Sequence, residues 1–410
     1  MPRMAEPGTI KCPYCTAIDF QIQGSRGKNK RLCCNGCGKY YSVPITDFDL
    51  LISNVKLSKQ KQLLQDTNRI ERKSFREYAR VENALSELGE EIKLELKENA
   101  KELAKIKIVP LNKSKSKSLG ILHITDTHGN ELINLPHNKY DFEILAKRLR
   151  LYINDSCDYF KHMGVNKVLF ICGGDLMNSD RRRDEILNQA NNRAKASILM
   201  MHLLKQAILD VRNRGHNVDV ISVLGNEARI DQEMTYSEEG LSDNYDFLIM
   251  ANLKELFEFS NIKGINFLSI DKVEVIANVN GQNWLISHDL TKYTDKQSSS
   301  QAAIGRHSLQ GKNIEYLLGG HIHATRITDF SSRGSSLSGS NSYNENALNL
   351  AGRAAATCYV VKDNRRFVNN IDLQNVDNVE GYHIVDRLKA YHSKSAEKLQ
   401  VKQVIHQIVI

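Results

Sequence analysis

At 410 residues, with 41 % apolar and 25 % charged side chains, the chain has room for two or three domains and the make-up of a soluble globular protein, which excludes a disordered or fibrous one. No apolar run approaches the ~18 residues of a membrane-spanning helix, and the opening MPRMAEPGTIKC lacks the apolar core of a signal peptide, so an intracellular protein with no membrane association is expected. The net charge of +8 is unevenly spread: residues 1–118 hold 23 Lys or Arg against 14 Asp or Glu, and the remainder 33 against 34. A basic leading module of this kind attracts polyanions, nucleic acid above all, through steering and counterion release.

The first element is a pair of C-x-x-C turns, Cys12-Pro-Tyr-Cys15 and Cys34-Asn-Gly-Cys37, with 18 residues between them. Each turn can aim two sulfurs at one tetrahedral ion, so residues 1–46 are expected to form a zinc ribbon around one structural Zn2+ held by Cys12, Cys15, Cys34 and Cys37. Cys33 is a spare thiol that replaces Cys34 if the register slips. Arg26, Lys28, Lys30 and Arg31 form a basic stretch between the turns, readable as a solvated hairpin tip or as a phosphate contact. Cys157, Cys172 and Cys358 fall in helical or strand contexts and are expected to be buried as small hydrophobes.

Residues 47–118 follow as a charged helical segment and linker. From Phe48 to about Lys107 the sequence is rich in Leu, Glu, Lys and Arg and free of proline. Tyr78, Val81, Leu85, Leu88 and Ile92, continued by Leu96 and Leu103, make a short heptad seam, expected to pack on the following domain in preference to pairing with a second copy in a homodimer. Val109–Ser118 reads as a polar linker with three lysines.

Residues 119–362 repeat one theme five times. An apolar run ends abruptly in residues that can hold a metal: Leu119 to Thr125 leads into Asp126 and His128, Lys167 to Gly174 into Asp175, and Val218 to Gly225 into Asn226 and Glu227. Trp284 to Ser287 leads into His288, and Glu315 to Gly320 into His321 and His323. Ligands gathered just past strand ends are what an open α/β sheet produces. Carboxylate, amide and imidazole donors without thiolate suit a divalent transition metal such as Mn, Fe or Zn. Tyr140–Met163 and Arg181–Arg214 read as intervening helices. Arg181, Arg182 and Arg183 are read as a solvated helix start ahead of a role near the metals. The serine-rich stretch from Ser331 to Ala356 reads first as a surface excursion, with Asn341, Asn344 and Arg353 as its candidate substrate contacts. Residues 363–410 form an extension in which no chemistry is evident.

These blocks resemble the calcineurin-like metallophosphoesterases, whose signature runs D-x-H, G-D, G-N-H, H and G-H-x-H. The resemblance covers about residues 119–362. It implies a four-layer α/β/β/α sandwich, one metal on Asp126, His128, Asp175 and His323, a second on Asp175, Asn226, His288 and His321, and a metal-bridging hydroxide as nucleophile. Gly173-Asp-Leu176, read as G-G-D-L with Gly174 and Asp175, is similar to the SbcD-like DNA repair nucleases, which implies a DNA phosphodiesterase, exonuclease or endonuclease, with an ATPase as a conceivable partner. The competing readings are a phosphomonoesterase acting on phosphoproteins or small esters, and a nucleic-acid-binding scaffold with a weakened site. One position departs from the family: Glu227 stands where G-N-H has its histidine. Protonation of the leaving group is then open among a metal-stabilised leaving oxygen, a donor from elsewhere such as His307 or Arg229, and a slow site.

Overall fold

The computed structural model describes residues 10–103, 105–106, 108–112, 117–230, 243–289, 297–347 and 352–401. The chain forms two compact units, Met1–Glu90 and Glu91–Ile410. In the first, β1 (Phe20–Arg26), β2 (Asn29–Cys34) and β3 (Tyr40–Pro44) make an antiparallel sheet in the order β1-β2-β3. Its core is four side chains, Cys12, Leu32, Cys34 and Tyr41. The helix α1 (Ile45–Leu103) follows and crosses into the second unit. Of the heptad seam, Tyr78, Val81, Leu85, Leu88 and Ile92 lie outside the described side chains. Leu96 and Leu103 pack into the core of the second unit, as expected of them.

The second unit is built on two sheets. The larger has the order β16-β15-β4-β7-β8-β9. Its strands β4 (Leu119–Ile124), β7 (Lys167–Cys172), β8 (Asn217–Val223) and β9 (Ile265–Lys272) run parallel, and β15 (Ala355–Lys362) and β16 (Arg365–Asp372) add antiparallel strands at one edge. The smaller has the order β10-β11-β12-β14-β13. There β10 (Glu274–Val279) pairs antiparallel with β11 (Gln282–Ser287), which runs parallel to β12 (Tyr316–Gly319), and β14 (Ser331–Arg333) lies between β12 and β13 (Arg326–Ile327). A short hairpin, β5 (Ile133–Leu135) and β6 (Asn138–Tyr140), follows β4.

The period-2 alternation of the central strands sorts them into layers. Leu122, Phe170, Val220 and Val360 face α2 (Phe142–His162), α4 (Arg193–Asn213) and α5 (Tyr245–Ser260) in one apolar cluster. Their neighbours Ile121, Ile171, Ile221 and Tyr359 point the other way, against Trp284, Ile286, Tyr316 and Leu318 of the smaller sheet. The outer face of that sheet, Leu285 and Leu317, is covered by Ala303 and Ile304 of α6 (Gln297–Leu309). The order is therefore helix, sheet, sheet, helix, the four layers expected. Cys157, Cys172 and Cys358 are buried, as expected. Among the described residues no helix is long and apolar enough to cross a membrane.

Two segments differ from the sequence reading. The single helix expected over Arg181–Arg214 is two, α3 (Arg183–Leu187) and α4, because the Asn192 side chain accepts from Lys195 N and caps a fresh start. The serine-rich stretch is no surface excursion: Ser331, Ser332, Ser335, Ser336, Ser338 and Ser340 are all buried, and a short α7 (Ser342–Ala347) follows. The extension beyond residue 362 supplies β16 and α8 (Val385–Ala390). Its end, 402–410, lies outside the described residues.

Trp284 is wholly buried between the sheets, 4.7 Å from the Tyr316 ring centroid and 5.6 Å from that of Tyr359. Trp284→Ala should cost about 3–5 kcal/mol, read as a lowered denaturant midpoint. A loss under about 1 kcal/mol would show that the inter-sheet layer does not hold the domain together.

Candidate metal centre

Five strands deliver the candidate ligands to one place. Parallel β4, β7 and β8 of the larger sheet end in Asp126, Asp175 and Asn226, and parallel β11 and β12 of the smaller sheet end in His288 and His321. Because the sheets stack face to face, these carboxyl ends share one edge of the sandwich. The turns that follow are tight. Asp126, His128, Asp175, His321 and His323 have φ of 51°, 45°, 51°, 76° and 58°, in the left-handed region that costs a non-glycine residue free energy. The backbone is bent at five of the seven expected ligands, and that strain persists only because the surroundings fix it.

The glycines preceding the ligands are required by space. A Cβ on Gly225 would collide with Asp175 N and Oδ1, one on Gly320 with Thr125 Oγ1 and Asp126 Oδ2, and one on Gly174 would lie 2.8 Å from His288 Nδ1.

The ligand atoms fall into two groups, Asp126–His128–His323 and Asp175–His288–His321, each with its atoms within 4.8 Å of one another. In the first, His128 Nε2 and His323 Nε2 are 2.9 Å apart, and Asp126 Oδ1 is 3.4 Å from His323 Nε2 and 3.9 Å from His128 Nε2. In the second, His288 Nε2 lies 2.9 Å from Asp175 Oδ2 and 3.1 Å from Asn226 Oδ1. His288 Nδ1 donates to Gly173 O at 2.8 Å, which in the neutral ring leaves the Nε2 lone pair for a cation. Three acceptor-type atoms crowding one point, twice over, with oxygen and imidazole donors and no sulfur, is a donor set that fits two divalent cations of the Mn, Fe or Zn kind.

A second shell, absent from the sequence reading, fixes these loops. Asp246, at the start of α5, accepts from Leu176 N through Oδ1 and from Gly225 N through Oδ2, both at 3.0 Å, and so ties the second motif to the third. Burial, with Asp175 adding to it, pushes its carboxyl up to about 7. Asn244 Nδ2 donates to Gly225 O at 2.9 Å. The buried serines bond backbone: Ser336 Oγ donates to Asp126 O at 2.7 Å and Ser335 Oγ to His323 O at 3.0 Å. An acid near a helix start reads as a cap and a serine run as a loop, so only a sequence cue tying them to the motifs could have found them, and none exists.

A cavity of about 360 Å³ opens over the ligands, lined among others by His128, Asp175, Glu227, His321 and His323. A larger groove of about 920 Å³, lined by residues of α4 and the segment around Tyr382, contains none of them. Asn344 reaches the centre, its side-chain amide 2.9 Å from His323 Nδ1, and Asn341 donates to Glu131 Oε1 at 2.7 Å. Arg353 instead pairs with Asp372 at 2.7 Å. Arg181, read as a solvated helix start, comes to the site: its Nη2 is 3.0 Å from Glu227 Oε2 and its Nη1 donates to Asn226 O at 2.8 Å. Arg182 lines the cavity, with its guanidinium 3.8 Å over the Tyr343 ring. Of the two donors considered for the leaving group, Arg229 bonds Asn226 O at 2.7 Å, whereas His307 sits on α6 beside Glu274, 3.8 Å away.

At the N-terminus the four expected sulfurs converge. Cys12 Sγ and Cys37 Sγ are 3.7 Å apart, and Cys15 Sγ and Cys34 Sγ 3.4 Å. Cys33 is not among them and its thiol faces Gly38 O at 3.6 Å, so the register uses Cys34.

Fold and centre together define a class: an α/β/β/α sandwich with two histidine–carboxylate groups at the mouths of facing parallel strands. No protein-family model matches the chain, and no curated protein matches it. Solved structures similar to it include a conserved phosphoesterase-like protein from Streptococcus pneumoniae (10 % identity, TM-score 0.28, covering 65 % of this chain and 93 % of that one). Another is the zinc complex of Vps29 from Entamoeba histolytica (11 %, 0.26, 62 % and 99 %). A third is the 5'-nucleotidase of Candida albicans (11 %, 0.31, 70 % and 58 %). At such scores nothing passes from these proteins to this chain.

Burial lowers the basicity of the His288 imidazole, but Asp175 and Asp126 outweigh it and hold its pKa up at about 10 in the metal-free chain. A ligand must be neutral, so a cation entering below that pH displaces a proton, and affinity rises with pH toward about 10. Mn2+ titrations in two buffers of different ionisation enthalpy should reveal proton release at pH 7, with affinity higher at pH 8 than at pH 6. Binding independent of pH would place His288 outside the centre.

Proposed function

We propose that the chain is a two-metal-dependent phosphodiesterase of the metallophosphoesterase type, with nucleic acid as its substrate and DNA as the first candidate, acting as a nuclease. The observation that carries this reading is the pair of adjacent ligand groups, Asp126–His128–His323 and Asp175–His288–His321, with His288 Nε2 3.9 Å from Asp126 Oδ1, built from two sheets and held in strained turns. In this reading Asp126, His128, Asp175 and His323 hold one divalent cation, and Asp175, Asn226, His288 and His321 the other, with Mn2+ the expected metal and Fe or Zn the alternatives. Bound there, the two cations supply Lewis acidity to the phosphoryl oxygens and acidify a water. Cys12, Cys15, Cys34 and Cys37 hold a structural Zn2+. An idle scaffold has no reason to maintain five residues at costly φ, which favours an enzyme over a silent site.

Glu227 takes a part different from that of the histidine it replaces. Its Oε1 accepts from Asn226 Nδ2 at 2.8 Å, and its Oε2 is held by Arg181 at 3.0 Å. Both carboxylate oxygens are engaged as acceptors, so Glu227 orients the Asn226 amide, with Oδ1 toward the second ligand group, and leaves the proton to another donor. The line from Arg181 through Glu227 to Asn226 is a positioning chain.

Glu227→Ala should weaken the second cation about 10–100-fold, and Glu227→Gln, which keeps an acceptor for the Asn226 amide, should recover most of it. Metal titration by calorimetry checks this, and undiminished affinity in the alanine variant would end the positioning role.

With Mn2+, the chain should cleave end-labelled single- or double-stranded DNA and hydrolyse bis(p-nitrophenyl) phosphate faster than p-nitrophenyl phosphate. Asp175→Asn should abolish both activities and cut the centre's metal from two ions, while the zinc at the four cysteines stays, as elemental analysis will show. Preference for the monoester with no cleavage of DNA would put the phosphomonoesterase reading first.

A further inference from the structure

The N-terminal sheet has two faces. Along β3, Tyr41 is buried in the small core with Leu32 and the cysteines, while Tyr40 points away and is 50 % exposed. Tyr14, between the first two cysteines, is 59 % exposed. Neither ring serves the core, yet each already holds a cation: Arg31 Cζ lies 4.7 Å from the Tyr40 ring centroid and Lys39 Nζ 5.0 Å from that of Tyr14. Lys39 and Tyr40 are chain neighbours, so the two ring–cation pairs, Tyr14 with Lys39 and Tyr40 with Arg31, lie close together in the chain fold near Cys37 of the cysteine cluster. The surrounding segment, 10–44, carries six Lys or Arg against one Asp.

From this face we infer that the sheet of residues 10–44 binds unpaired nucleic acid, with Tyr14 and Tyr40 as base-stacking platforms and Arg31 and Lys39 as phosphate contacts. The inference rests on the proposed nucleic-acid phosphodiesterase and specifies the form its substrate takes at this module. Basic residues alone attract any polyanion, duplex included. Exposed rings add something a duplex interior cannot use, because paired bases already spend both faces on their neighbours, whereas an unpaired base has a free π-face for a tyrosine. Cation–π contacts also hold the rings in place before a base arrives, which lowers the ordering cost of binding.

The test is fluorescence anisotropy of the zinc-loaded full chain, without added manganese, on a twelve-nucleotide oligothymidine and a twelve-base-pair duplex at several salt concentrations. Single-strand binding should exceed duplex binding about tenfold. Tyr14→Ala and Tyr40→Ala should each lose about tenfold on oligothymidine with little change on duplex or in salt slope. Tyr40→Phe should retain the affinity, and Tyr40→Trp should raise it. Arg31→Ala and Lys39→Ala should each flatten the log–log salt slope by about 0.7. Zinc content is measured for every variant, and the phenylalanine and tryptophan variants decide if an alanine variant loses its metal. Equal affinity for single strand and duplex, or Tyr→Ala variants that bind oligothymidine as tightly as the parent, would overturn the inference. Hydrolysis of bis(p-nitrophenyl) phosphate by the same preparations reads the catalytic proposal separately: its absence beside intact single-strand binding would sink the diesterase and leave this surface standing.

Discussion

The carboxylate of Asp175 is the point on which the catalytic unit turns. Its Oδ1 accepts from Glu227 N at 2.7 Å, its Oδ2 faces His288 Nε2 at 2.9 Å, and its own backbone carbonyl accepts from His128 N at 3.0 Å. Residues from three of the other four motifs therefore bind one aspartate or press against it, and Gly225 has no room for a side chain beside it. Such an arrangement puts a buried negative charge at the junction of two sheets, which is costly without compensation. Although burial opposes ionisation, His288 and His128 outweigh it and hold the Asp175 carboxyl below the usual range. In the metal-free chain a protonated histidine does part of the work that a cation would do, and this is why ligand affinity and protonation are linked here.

What the sequence discloses is what strand ends must contain. Each motif is local: an apolar run gives the strand, the ligand follows at its end, and in three of the five a glycine (Gly174, Gly225 or Gly320) gives the turn room, so Asp126, Asp175, Asn226, His288 and His321 could be found without knowing the fold. The four cysteines are equally legible, because tetrahedral thiolate geometry dictates the C-x-x-C spacing. The layer order came from the family resemblance alone: β4, β7 and β8 are almost continuously buried, and such runs do not say what covers each face.

What stayed hidden is polar, non-local support. Asp246 braces two motifs from 70 and 21 positions away in sequence terms, Leu176 and Gly225 being its partners, and no local pattern announces that. The serines from Ser331 to Ser340 lack the apolar periodicity that marks a buried element, yet they are buried because their hydroxyls satisfy backbone carbonyls of Asp126, His323 and Gly352 that would otherwise be orphaned. Arg181 was underrated for a related reason. An arginine run at a helix start is solvated by default, and only the fold shows that Glu227 lies within reach of it.

The two ends of the chain are stabilised by different physics, and this bears on how they work together. The unit Glu91–Ile410 buries dozens of apolar side chains in layered cores. The N-terminal sheet buries four, two of them cysteines of the sulfur cluster, so the apolar burial there is worth only several kcal/mol at ~25 cal/mol/Å², against an ordering cost of ~1–2 kcal/mol for each backbone residue fixed. On the zinc reading proposed above, the bound metal supplies the difference. The placing of Tyr14 and Tyr40 then depends on zinc, because Tyr14 sits inside one C-x-x-C turn and Tyr40 three residues beyond the other. On the function and the nucleic-acid surface proposed above, loss of zinc from the four cysteines would dissolve the strand-holding face and leave the hydrolytic centre intact, so that holding a strand and cutting it would each depend on its own metal.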